Sequence, residues 1–232
     1  MHLSKRAHDY KHAIQTHSLQ STQDTIYPGQ QYTFLAKHLQ QDDLANPVPN
    51  GTHDLGILCM LGTNASRARL KFKYQDLEDL LKVPEPDELR GQILFLRGHL
   101  PSSWINSIGS KYIIDPDFFR QHLDLPSIPK VQSLFATPCL PSVQKMCLTL
   151  RINTIFCTDP VCTDDSRSTY IKRKGNDRVA LEDYLGGFLM NAKPGDSLVR
   201  AFSRVERKFS VIEQNLSICV ENCGKGWIGE LI

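Results

Sequence analysis

No apolar run in this chain is long enough to cross a bilayer. Its most apolar stretches, Leu55 to Leu61 and Ile93 to Leu96, fall far short of the ~20 residues a spanning helix needs. No membrane span is therefore expected. The chain also lacks an excess of either charge: 27 basic residues stand against 25 acidic ones, a formal net charge of +2. Without a global field to draw in phosphates or anionic lipid, no nucleic-acid partner is expected. The N-terminal stretch MHLSKRAHDYKHAIQTHSLQ has early basic residues but no apolar segment behind them, unlike a secretory signal.

The short catalytic signatures are missing too. The chain has no G-x-S-x-G elbow, no H-E-x-x-H helix, no G-x-x-x-x-G-K-S/T phosphate loop and no G-x-G-x-x-G turn. Nothing in it sets a nucleophile, a base and an orienting group at a recognisable spacing, so an enzyme is not indicated. Seven cysteines, an odd number, are scattered over a chain too large to need disulfide staples. Reduced thiols and a cytoplasmic location are the simplest expectation, which makes the sequons at Asn50, Asn64 and Asn215 chance matches.

What is present is an ordinary core: 41% of the 232 residues are hydrophobic and 22% charged, the composition of one soluble globular domain. Residues 1–54 predict a flexible polar arm, with a short helix near Tyr10 to Ile14, followed by a loop broken by prolines and Asn50-Gly51. Residues 55–224 predict a single α/β domain, and residues 225–232 a tail. Buried strands are expected at Leu55 to Leu61 and Ile93 to Leu96, and alternating strands at Ala68 to Tyr74 and Met146 to Cys157, the latter kinking near Asn153. Ser168 to Lys174 is expected as a further strand, after a polar loop from Cys157.

Helices are expected at Gln75 to Val83, at Val179 to Met190 and over a Trp104-bearing segment capped by Ser102 or Ser103 and closed by Gly109. Another starts at Asp115, an N-cap, with Pro116 where its missing N–H costs nothing. Leu198, Phe202, Val205, Phe209, Ile212 and Leu216 fall three or four apart and predict a long C-terminal amphipathic helix. The fold class is thus α/β or α+β, a mixed sheet flanked by helices.

Candidate chemistry is thin. Cys157-x4-Cys162 and Cys219-x3-Cys223 miss the tight knuckle spacing of structural zinc, so buried or idle thiols are the default. His8, His12 and His17 share the polar arm, which lacks a rigid shell for a metal. Asp159, Asp164 and Asp165 miss the calcium-loop pattern, and Lys172-Arg173-Lys174 reads as a solvated strand end. One neighbourhood gathers polar groups after a strand: Arg97, His99, Asp115 and His122, beside Trp104.

The segment Leu94 to Leu125 resembles the cytosolic N-terminal domain of fungal CorA-like magnesium/zinc transporter proteins. The shared residues are Phe95-Leu96-Arg97-Gly98, then Trp104-Ile105-Asn106-Ser107-Ile108-Gly109, then Asp115 through Leu123. The resemblance covers about an eighth of the chain closely. It implies a CorA cytosolic-domain-like fold, Mg2+ as the candidate ligand, and oligomer formation through similar domains and long helices. The family's two transmembrane helices and G-M-N signature have no counterpart here, since Leu189-Met190-Asn191 departs from it.

The expected function is accordingly a soluble, non-catalytic CorA-like domain acting through protein or divalent-cation binding. The alternatives are a fragment of a CorA-like divalent metal-ion transporter and an accessory protein or enzyme of a fungal biosynthetic gene cluster. Homo-oligomer or protein partners are expected. The stripe Phe202, Val205, Phe209 and Ile212 is a candidate self-association surface, or else simply packs on its own sheet.

Overall fold

The computed structural model describes residues 2–21, 23, 29–40, 54–61, 68–86, 91–123, 147–157, 179, 181–187, 192–204, 209–223 and 225–232. Besides two 3-10 turns and the helical residues 179 and 181–187, five α-helices and seven strands follow one another along them. They are α1 (His2–Ser18), α2 (Thr33–His38), β1 (Gly56–Leu61), β2 (Ala68–Phe72), α3 (Leu77–Lys82), β3 (Gly91–Leu96), α4 (Ser102–Tyr112), α5 (Pro116–Leu123), β4 (Cys147–Cys157), β5 (Val199–Arg204), β6 (Phe209–Cys223) and β7 (Gly226–Leu231). The strands form one sheet in the order β2-β1-β3-β7-β6-β4, with β5 pairing β6. Every pairing is antiparallel except β3 with β7. The class is therefore a mixed, mostly antiparallel α/β sheet flanked by helices. Among the described residues no helix is long and apolar enough to cross a membrane.

Because successive strand residues point to opposite faces, the pairing registers sort the sheet into two sides. Leu58, Leu94, Glu230, Cys219 and Cys147 stand opposite one another in a single row across β1, β3, β7, β6 and β4. This row lies under the helices, and Leu58, Leu94 and Cys219 belong to the main core. Trp104, Ile105, Ile108 and Tyr112 of α4, Phe118 and Phe119 of α5, Ile14 of α1 and Leu35 of α2 complete that core. The opposite side carries Ile57, Phe95, Leu231, Ile218 and Leu148 in another row.

Residues 2–21 and 29–40 do not form a free arm. Residues 2–18 are helical, Ile14 is buried, and the Tyr10 hydroxyl donates to the Ile114 carbonyl at 3.0 Å. The polar sequence hid this because α1 buries only a few side chains. Residues 225–232 are not a tail either: β7 inserts between β3 and β6, with Ile228, Glu230 and Ile232 buried.

The long C-terminal amphipathic helix is not formed. Its span holds β5 and β6 instead, and Val205 lies outside the described residues. The apolar residues from Leu216 to Val220 recur every second position, a strand period overlaid on the helical one. β-branched Val211, Ile212, Ile218 and Val220 suit the pleat. Pairing with β4 on one side and with β5 and β7 on the other supplies what local propensity does not. Phe202 lies opposite Ile212, whereas Phe209 projects to the other face of β6. The stripe is therefore not one surface.

Smaller differences have local causes. β4 keeps an unbroken register through Asn153. The Trp104 helix is entered through Pro101 without a side-chain cap and passes Gly109, ending at Ile113 in the left-handed conformation (φ 58). Asp115 does cap α5, accepting from the Asp117 N–H at 2.8 Å. The expected helix at 179–190 is helical at 179 and 181–187. The 168–174 strand, the 158–168 loop with its aspartates and Cys162, and all of the 40–54 loop but its two end residues lie outside the described residues.

Candidate functional site

The predicted neighbourhood separates into parts. Arg97 follows β3 and is exposed, its backbone N–H donating to Leu55 at 3.0 Å. Gly98 (φ 56) then turns the chain where a Cβ would lie 2.2 Å from the Asp196 carbonyl oxygen, so only glycine fits. This turn is stitched to the Lys193–Asp196 loop: His99 N–H donates to Asp196, and Gly195 N–H to His99. Trp104 is fully buried core rather than a site wall. Asp115 serves the α5 N-terminus, and its carboxyl is raised above the usual range chiefly by burial. Among the described contacts, nothing joins Arg97 to Asp115 or His122.

Three histidines do converge. The His38 and His99 rings meet edge to face at 4.9 Å, and His38 Nε2 lies 2.9 Å from the Leu100 carbonyl oxygen. His122 is buried, with Nδ1 3.3 Å from the Ser217 hydroxyl of β6. Burial first, then the Arg200 cation, press its pKa down to about 3, partly opposed by the Gly98 backbone. Arg200 meanwhile donates to the carbonyls of Gln121 and His122 at the end of α5. Such a histidine is neutral near pH 7. Its Ser217 contact has the form of a nucleophile–base pair, but Ser217 is fully buried and no substrate could reach it. This cluster fastens α5 to the sheet.

A second cluster escaped the sequence reading. Glu230 of β7 is fully buried, and neither carboxyl oxygen has a hydrogen-bond partner. Its neighbours in the cross-strand row are Leu94 and Cys219. Burial raises its carboxyl well above the usual range, with Glu221 and Cys147 adding to the shift. The Tyr10 and Tyr112 phenols are raised by burial and by the same carboxylate, and the buried Tyr112 hydroxyl has no partner either. A fully buried carboxyl with no hydrogen-bond partner is a destabilising group in the fold. The available signal was the run Gly226 to Ile232, apolar but for Glu230, which has the composition of a buried strand.

Next to Glu230 in the row, the Cys219 and Cys147 sulfurs lie 2.9 Å apart. Cys219 and Cys223 are on a strand, not one turn apart on a helix end. Among the described residues no group of three or more His, Cys, Asp or Glu side chains is placed to hold a metal ion. The outer side of the sheet offers a different kind of site. Phe95, Val220, Trp227, Leu148, Leu150 and Ile152 share that side, and each is 37% to 54% exposed. No protein-family model matches the chain, and comparison with curated proteins and with solved structures finds no similar protein.

Proposed function

We propose that this chain is a non-catalytic binding module, related to the CorA-type cytosolic domains, that works by pairing with a second copy of itself. The contact is the outer side of the sheet. The observation carrying this is the set of six large apolar side chains left more than a third exposed on one sheet face. Exposed apolar surface of this extent marks a contact site, because water leaves it favourably when a partner covers it.

Charge pattern favours a second copy as the occupant. Ile57, Phe95, Leu231, Ile218 and Leu148 form an uncharged stretch of a row that ends at Lys71 of β2, so a two-fold stack centred between β3 and β7 sets apolar side chains on one another and leaves the two Lys71 side chains at opposite rims. At β4, 11 residues long, the only charged side chain is Arg151, which lies on the other face from Leu148, Leu150 and Ile152. Six strands at ~4.8 Å spacing and about 20 Å length give a flat footprint of roughly 500 Å². The β4–β6 arm extends it toward the ~800 Å² per partner of a stable interface.

Light scattering behind size exclusion tests this on wild-type, Leu150→Lys and Ile152→Glu proteins. The wild type is expected as a dimer, and both variants as monomers with unchanged circular dichroism, since both positions are already exposed. A monomeric wild type at tens of micromolar, or variants that remain dimeric, would sink the proposal. Titrating the same samples with Mg2+ in a calorimeter tests the cation-binding arm of the CorA relationship.

A further inference from the structure

Cys147 and Cys219 stand directly opposite each other on β4 and β6, their sulfurs 2.9 Å apart. That is only ~0.9 Å longer than a disulfide bond. Residues facing each other in antiparallel strands have Cα atoms about 4.5–5.5 Å apart, inside the roughly 4.4–6.8 Å that disulfides span. Register and sulfur separation are thus both compatible with a disulfide. The two thiols also differ in access: Cys147 is half-buried at the sheet edge, while Cys219 is fully buried. The other described cysteines sit elsewhere, Cys59 on the outer side of β1, Cys157 at the far end of β4 and Cys223 at the end of β6.

We infer that Cys147 and Cys219 form a reversible redox couple, a dithiol that closes into a cross-strand disulfide when offered a small-molecule disulfide such as oxidised glutathione. The Cys147 thiolate attacks one sulfur of the oxidant, forming a mixed disulfide and expelling one thiolate, which takes up the proton Cys147 lost. Cys219 then attacks the Cys147 sulfur, forming the protein disulfide and releasing the second thiol, which takes up the proton of Cys219. Two protein thiols are oxidised and one disulfide molecule is reduced to two thiols, so atoms and electrons balance. The order follows from access. It agrees with the Cys147 contact and burial that keep the Cys219 thiol protonated, with Glu230 and Glu221 acting in the same direction.

The bond would tie the edge strand β4 to β6. β4 carries Leu148, Leu150 and Ile152, so the oxidation state would decide whether this edge can peel from the sheet. That consequence does not depend on dimer formation.

The test incubates wild type, Cys147→Ala and Cys219→Ala with oxidised glutathione, then titrates thiols under denaturing conditions and maps peptides without reductant. Wild type should lose the thiols of Cys147 and Cys219 together, with a Cys147–Cys219 peptide recovered at any protein concentration. Cys219→Ala should accumulate glutathione on Cys147. If that variant fails to fold, Cys147→Ala, altered at a half-buried position, should retain the Cys219 thiol. Hydrogen exchange of the β4 amides should slow several-fold in the oxidised wild type and return on reduction. A stable mixed disulfide on wild-type Cys147, pairing of either residue with Cys59, Cys157 or Cys223, or loss of a thiol at Cys219 in Cys147→Ala would overturn the inference.

Discussion

The ring of Tyr10 fills the space that a side chain at Gly109 would need: a Cβ there would lie 2.5 Å from the phenol Cζ. The same phenol donates to the Ile114 carbonyl, 104 residues away. α1 and α4 are thereby held at a separation that only glycine permits. Elsewhere in a helix, glycine to alanine stabilises by about 1 kcal/mol through propensity. Here the overlap outweighs that gain, and Gly109→Ala should cost roughly 1–3 kcal/mol, as overpacking does. Tyr10→Phe should cost about 1 kcal/mol by leaving the Ile114 carbonyl without its donor. Urea unfolding of both variants checks this, and Tyr10→Ala should relieve the penalty of Gly109→Ala.

Stability should have a plateau in pH, with losses on both sides. Glu230 is raised well above its ordinary 4.5, first by burial. Its contribution is complete below pH 4.5 and is lost as pH rises through the folded value, at up to about 1.4 kcal/mol per pH unit. His122 runs the other way. Its folded value of about 3 lies below the ordinary 6.5, again first by burial. Its contribution is complete above pH 6.5 and falls at the same limiting slope as pH drops toward 3. Between 4.5 and 6.5 the two slopes oppose each other. Unfolding midpoints taken across the range should therefore be flat there, and Glu230→Gln should flatten the alkaline fall while changing little near pH 4. An alkaline arm that survives in Glu230→Gln would assign it to other groups.

Ile113 holds a left-handed conformation at the end of α4, yet its side chain is 84% exposed. A β-branched residue at positive φ costs about 1–2 kcal/mol, and little buried apolar area offsets it. Ile113→Gly removes that cost and adds roughly 0.5–1 kcal/mol of chain entropy to the unfolded state. The net expectation is stabilisation by about 0.5–1 kcal/mol, read from thermal or denaturant midpoints. Destabilisation would mean that the exposed isoleucine makes a contact worth more than its strain.

Much of the fold was legible where one local rule governed one element. Leu55 to Leu61 and Ile93 to Leu96 are continuous apolar runs and form β1 and β3. Asp115-Pro116 carries a cap and a helix-compatible φ together, and α5 begins there. The apolar residues from Leu198 to Leu216 follow a helical period and those from Leu216 to Val220 a strand period, and long-range pairing chose the strand. Of the candidate site, His99 adds to the lowering of the His122 pKa. Glu230 was not anticipated, because a lone carboxylate near the chain end gives no sign that helices will cover it.

The sequence alone determined the local starts and stops, the lack of any apolar helix able to span a bilayer, and the glycine at position 98 that its turn requires. These depend on a few neighbouring residues and on backbone sterics. Tertiary structure alone decided which residues from distant segments became neighbours: Cys147 with Cys219, Glu230 beneath the helices, Tyr10 against Gly109. Such pairs arise from strand register and layer packing, where a shift of one residue would turn each side chain to the opposite face. No short window of sequence encodes that choice.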